Sequence, residues 1–252
     1  MMDFGIALPA AADSYNIVRR AEELGFTNAW FYDTQMLNAD CFVAMAAAAV
    51  NTRRIRLGTG VLVPSNRIAP VTANALASLN RLAPGRIDFG VGTGFTARRA
   101  MGFGAIKLKA METYVRQVYG LLRGEVVDFE MEGERHKIRF LNPELDLFNT
   151  RDPIALHLSA YGPRTRALTA RLAAGWIDFV GNTAAGIREV EAMRDEWRAA
   201  GHALADLSAT AFAVGCVLQD GEPADSPRAP ECLPIVHDRS RFAVRTGLGS
   251  PT

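Results

Sequence analysis

Residues 55–94 read IRLGTGVLVPSNRIAPVTANALASLNRLAPGRIDFGVGTG, and their pattern decides the fold. Residues 56–61 and 87–92 are two short apolar runs punctuated by glycine. Between them, residues 70–82 carry apolar side chains at helical spacing, open on Pro70 and stop at Pro84-Gly85. Proline suits a first helical turn, and a following Pro-Gly ends it. A strand, a helix and a second strand of these lengths make a crossover that leaves the strands parallel.

The same rhythm extends outward in both directions. Strands are expected at residues 4–8, 29–32, 154–159, 176–180 and 209–218, and helices at 14–24, 39–50, 108–122, 163–173 and 184–200. Asp13 or Ser14 is the expected cap of the first helix and Gly25 its stop. Residues 125–140 break the rhythm with a Glu-Gly turn between β-like flanks, an inserted hairpin. Alternating strands and helices imply a parallel α/β sheet or barrel. No GxGxxG follows the first strand, which argues against a doubly wound nucleotide-binding sheet. The expectation is one TIM (β/α)8-type barrel domain over residues 1–252, with the insertion after strand four. Seven units are spent by residue 218. The Pro-, Gly- and charge-rich stretch 219–252 supplies no obvious eighth, so the barrel is expected to be incomplete or divergent there.

Composition narrows the function. The 252 residues carry a net charge of +1, 49% are hydrophobic and 22% charged. Such a chain folds rather than staying disordered. Near-neutrality speaks against nucleic acid as a partner. No uncharged apolar run reaches the roughly 18 residues that a membrane helix needs. Cys41, Cys216 and Cys232 are too scattered for a disulfide framework or a zinc site, and no signal peptide opens the chain. A soluble cytoplasmic protein is expected. Of 28 basic residues only Lys107, Lys109 and Lys137 are lysines, a bias typical of GC-rich coding.

In a barrel, chemistry sits at the C-terminal ends of the strands. Strand three ends in Thr59-Gly60-Val61, where glycine lets the backbone bulge or approach a flat ligand. Strand four ends in Gly92-Thr93-Gly94, whose amides can face an anion or a ring. Strand five runs into Ser159-Ala160-Tyr161-Gly162-Pro163-Arg164-Thr165, a helix start that can hold phosphate. Asp33 ends strand two. His157 lies within strand five, where a core histidine is the ordinary explanation. His136, His202 and His237 have no metal-like companions, and no metal is expected. Glu22-Glu23 and Glu189 with Glu191 fall on helix faces where solvation explains them. HExxH, GxSxG and P-loop motifs are absent.

Together these strand ends resemble the bacterial luciferase-like superfamily of flavin- and F420-dependent oxidoreductases. Residues 55–94 carry the resemblance, through an LGTGV strand, an arginine before a Pro-Ala helix, and GRxxxGxGxG. GFTNAWFYD, METYVRQVYGLLRGE and SAYGPRTRALTARLAAGWIDF support it. The resemblance implies a TIM barrel, often dimeric, holding F420 or FMN at the C-terminal edge. It places a non-prolyl cis peptide at Gly60-Val61 behind the ring, Gly92 to Gly94 along ring and ribityl chain, and Ser159 to Thr165 on the phosphate. Sugar-phosphate and alcohol dehydrogenases of the F420 branch have a histidine after the aspartate, where this chain has Thr34. The glucose-6-phosphate type has a glutamate after GTG, where this chain has Phe95. Asp33 and Thr34 are then the candidate catalytic pair. Gln35, Phe95, Phe103 and His157 line the expected substrate pocket, the two phenylalanines suggesting an apolar small-molecule substrate. The expected function is an F420-dependent oxidoreductase acting as a homodimer. An FMN-dependent monooxygenase is the alternative, and a non-catalytic flavin-binding barrel is the alternative of another class.

Overall fold

Alternation of side chains above and below each strand puts Trp30, Asp88 and His157 on one face of the principal sheet and larger apolar side chains on the other, with both faces buried. The computed structural model describes residues 2–213, 219–223 and 226. It divides between residues 159 and 160 into two compact units.

The first unit opens with β1 (Gly5–Pro9), α1 (Tyr15–Glu23), β2 (Asn28–Tyr32), α2 (Cys41–Asn51), β3 (Arg56–Thr59), α3 (Ala69–Leu82) and β4 (Ile87–Val91). A short α4 (Phe95–Arg99) follows, then α5 (Leu108–Leu122), the hairpin β5 (Val127–Met131) and β6 (Glu134–Ile138), and β7 (Ala155–Ser159). Five strands lie parallel in the order β1-β2-β3-β4-β7, with Trp30 opposite Gly58, Gly58 opposite Asp88, and Gly90 opposite His157. Phe31, Leu57, Ile87, Phe89 and Leu158 are fully buried and form the apolar core. Phe89 packs its ring against Tyr119 of α5, so this face meets the helices.

The second unit contains α6 (Pro163–Arg171), β8 (Gly175–Phe179), α7 (Thr183–Ala199) and β9 (Ala209–Phe212). β8 and β9 pair in parallel, and Trp176, Met193 and Trp197 form their core with Ala160 and Ala170.

Most expected elements stand within two residues of their expected ends. β3 stops at Thr59 rather than residue 61, and Leu62 continues the pairing only as an isolated bridge to Val91. The expected loop after Gly94 contains α4. The expected strand 209–218 is described only as far as residue 213, and the expected irregular tail falls almost wholly outside the described residues. The hairpin is as expected: β5 and β6 are antiparallel around Glu132-Gly133, both at positive φ, as a tight two-residue turn requires. Glu22 is not a solvated helix residue. Its carboxylate accepts the backbone N–H groups of Arg53, Arg54 and Ile55, at 2.6–3.0 Å for its closest oxygen, and ties α1 to the entry of β3. No helix of the described residues is long and apolar enough to cross a membrane.

Candidate functional site

The sheet face opposite that apolar core is built around Trp30, which is buried. A Cβ on Gly58 would sit 2.5 Å from the Trp30 ring, and one on Gly60 would sit 2.8 Å from the Trp30 Cβ. Gly58 in β3 and Gly60 just after it therefore make the space that one indole fills. Trp30 meets His157 edge-on, with centroids 5.2 Å apart. His157 is buried, and its Nε2 lies 3.5 Å from Asp88 Oδ1, at the outer limit of a hydrogen bond. It makes no shorter polar contact among the described residues. Asp88 also takes Arg56 bidentately, at 2.9 and 2.6 Å. Burial pushes the Asp88 carboxyl up, but His157 and Arg56 outweigh it and hold it below the usual carboxylate range.

At the strand ends, Asp33 governs the loop that follows β3. Its Oδ2 accepts from the Val63 N–H at 3.0 Å and the Asn66 side-chain amide at 3.2 Å, and its Oδ1 takes Arg67 at 2.8 Å. Arg67 bridges onward to Asp40 at 2.6 Å and lies over the Phe42 ring. Burial works against the Arg67 charge, but Asp33 and Asp40 raise its pKa above the ordinary arginine value. Burial also raises Asp40, yet Arg67 and the amides of Val43 and Phe42 bring it below its ordinary value. Asp33 is thus engaged as an anchor of that loop. Gln35 is likewise engaged, accepting from Asn66 at 2.7 Å and donating to the Ala97 carbonyl at 2.9 Å. Thr34 is half-buried beside them, and its carbonyl accepts from Asn38 at 2.9 Å. Thr59 is fully buried and donates to the Gly90 carbonyl at 2.7 Å, so it ties strands together and offers nothing outward.

Above Trp30 the surface is made by backbone. A Cβ on Gly92 would stand 2.7 Å from Val61 Cγ2 and 3.4 Å from Ser159 Cβ. Gly94, at φ +82°, would set a Cβ 2.5 Å from Val63, and only glycine holds that conformation without strain. Gly92 thus packs on Val61 beside Ser159, and Gly94 on Val63 and Arg98, a patch built from closely packed strand ends. The Thr93 carbonyl accepts the Ile106 N–H at 3.0 Å and closes the connector that carries α4, with Phe95 and Phe103 about half exposed.

In the second unit, Gly162 caps α6 and Pro163 opens it. The Gly162 carbonyl accepts from the amides of Thr165 and Arg166, both at 3.0 Å. A phosphate there would meet the Arg164 amide and exposed side chain and the Thr165 hydroxyl. Ala160 is fully buried, with its N–H on Ile177 and its carbonyl on the Trp176 indole, so it serves the core. Tyr161 is exposed, and its carbonyl takes Arg166. Glu189 pairs with Arg166 and is not the solvated helix residue expected from the pattern.

The sequence profile of luciferase-like monooxygenases matches residues 5–245. The chain belongs to the luciferase-like monooxygenase family. Among family relatives, it is 32% identical over 179 residues to a 5,10-methylenetetrahydromethanopterin reductase of Methanolobus tindarius, covering 69% of this chain and 53% of that one. It is 31% identical over 172 residues to an F420-dependent glucose-6-phosphate dehydrogenase of Nakamurella multipartita, covering 65% and 49%. The chain thus spans about half the length of the curated relatives it matches. A type II Baeyer–Villiger monooxygenase of Pseudomonas putida, solved with FMN, superposes with a TM-score of 0.70 at 14% identity, over 87% of this chain and 69% of that one. The α/β barrel class expected from the strand–helix rhythm is the class of this luciferase-like fold.

The family's cis peptide position is cis here, at Gly60–Val61. Asp33, Gln35, Val61, Gly92, Gly94, Phe95 and Ser159 gather at or beside one edge of the first unit, whereas His157 lies deeper, under Trp30. Sequence reasoning missed Arg67 as the partner of Asp33 and Arg56 with Asp88 as the floor below. The arginine before the Pro-Ala helix was the available signal for Arg67. Arg56 and Asp88 face one another only through strand register. Among the described residues no three His, Cys, Asp or Glu side chains gather as metal ligands.

Proposed function

We propose that the chain is an F420-dependent oxidoreductase that moves a hydride between the deazaflavin and a small organic substrate. The observation that carries this is the patch of strand ends at Gly60–Val61, Gly92 and Gly94, where the lack of a Cβ lets the chain pack closely on Trp30, Val61 and Val63. A planar cofactor fits that surface. The F420-dependent relative favours the deazaflavin over FMN. When bound, such a ring accepts or donates hydride at C5.

The chain's own residues do the rest. Gly92 and Gly94 let Val61 and Val63 pack close at the edge where the ring would lie. Val61 backs it. Asp33 and Arg67 hold residues 63–67 in place, so that loop does not reorganise during turnover, and preorganisation of this kind is the protein's main contribution. Thr34, half-buried next to Asp33 in the chain, is proposed to face the substrate.

Equilibrium dialysis against F420 and FMN tests the reading. Retention of F420 at micromolar concentration with FMN passing freely is expected. Retention of FMN alone would replace it with the monooxygenase alternative. Cofactor binding with no hydride transfer to any acceptor would leave a binding barrel.

A further inference from the structure

Between Asp88 and Glu112 the chain contains no acidic residue but four basic ones, Arg98, Arg99, Lys107 and Lys109. This stretch includes α4, which is pinned to the strand-end loops at three points. Ala97 accepts from Gln35, Thr93 accepts from Ile106, and the Arg98 stem abuts Gly94, where a Cβ would lie 2.9 Å from its methylenes. The exposed phenylalanines of this connector are not bare. The Arg99 guanidinium lies 3.8 Å from the Phe95 ring centroid, and that of Arg98 lies 5.4 Å from Phe103. Arg98 also donates to the Gly104 carbonyl. Among the described residues neither arginine has a carboxylate partner within ion-pair distance.

A guanidinium stacked on a ring gives up rotamer freedom but keeps its edge N–H donors pointing away from the ring. Those donors match a carboxylate in bidentate fashion. The phenylalanines alone point to an apolar substrate. Each with a cation on its face points elsewhere.

Resting on the oxidoreductase reading above, we infer that the substrate is an anionic small molecule, an organic carboxylate. Its charge is taken by Arg99 on Phe95, with Arg98 on Phe103 supporting the field. Lys107 and Lys109 extend the positive edge by which such an anion is drawn in.

The test uses the full chain and calorimetric titration with benzoate, methyl benzoate and benzamide, with and without F420. Benzoate should bind about tenfold or more tightly than the two neutral analogues, and high salt should erode the difference. Arg99→Gln should abolish that preference while leaving the Kd for F420 and the thermal unfolding midpoint unchanged. Phe95→Leu, which keeps the charge but frees it, should give a partial loss. Equal binding of benzoate and methyl benzoate would overturn the inference. So would an Arg99→Gln variant that weakens F420 instead, since the guanidinium would then serve the cofactor. If F420 fails to bind while the preference for benzoate and its loss in Arg99→Gln persist, the oxidoreductase reading falls and the anion site stands.

Discussion

Single atoms decide how this site is built. Gly58→Ala would drive a methyl into the Trp30 ring at 2.5 Å, and overpacking of this kind costs about 1–3 kcal/mol. Gly162→Ala, where a Cβ meets nothing within 4 Å, should be close to neutral. Urea unfolding of the two variants side by side checks both. Asp33→Ala removes the acceptor of two N–H donors and the buried partner of Arg67. Loss of one member of a buried pair costs about 3–5 kcal/mol, and cofactor affinity should fall with it. Asp88 sets an acid limit. Its folded pKa lies below the ordinary 3.8, so its contribution is present above pH about 4 and is lost as pH falls through the folded value. Asp88→Asn should therefore flatten the loss of stability below pH 4, read as unfolding midpoints against pH. At this scale the sequence was half legible. Asp33 and the glycines could be picked out by their place at strand ends. Their partners could not, because Arg67 stands 34 residues away and Asp88 meets His157 only across a strand register.

Elements were easier to read than their junctions. Periodicity set the strands and helices: a long helix such as α5 buries one stripe, while β4 is buried at all five positions, as in a sheet covered on both faces. It missed α4 because five residues flanked by glycines carry too short a period to register. The inserted hairpin was legible from its Glu-Gly turn. α2 carries a message of its own, for it contains no charged residue between Cys41 and Asn51. Yet Val43 and Val50 are 59% and 65% exposed. A helix apolar on all sides is normally covered, and we propose a second copy of the chain as the cover, in a homodimer. Val43→Glu with Val50→Glu should convert the dimer to monomer in sedimentation velocity without changing helical content. A wild type that sediments as a monomer would refute the proposal.

For the whole molecule, luciferase-like membership follows from a profile that runs through both units, while substrate selection is argued from the first unit alone. The fold class was legible because seven strand–helix units repeat. No eighth unit could be read from residues 219–252, which carry neither period. Binding of cofactor should stabilise the fold by mass action, by about 2.7 kcal/mol at a hundredfold excess over Kd. Trp30 gives that binding a visible sign. The chain has three tryptophans, and the other two, Trp176 and Trp197, belong to the second unit. Replacing both with phenylalanine would leave a single indole lodged beneath Gly58 and Gly60 and edge-on to His157. Its emission would be dimmed by energy transfer to any chromophore settling on the patch above it. The residue that fills the floor is also a lamp under it, and titrating its light would report occupancy without a single turnover.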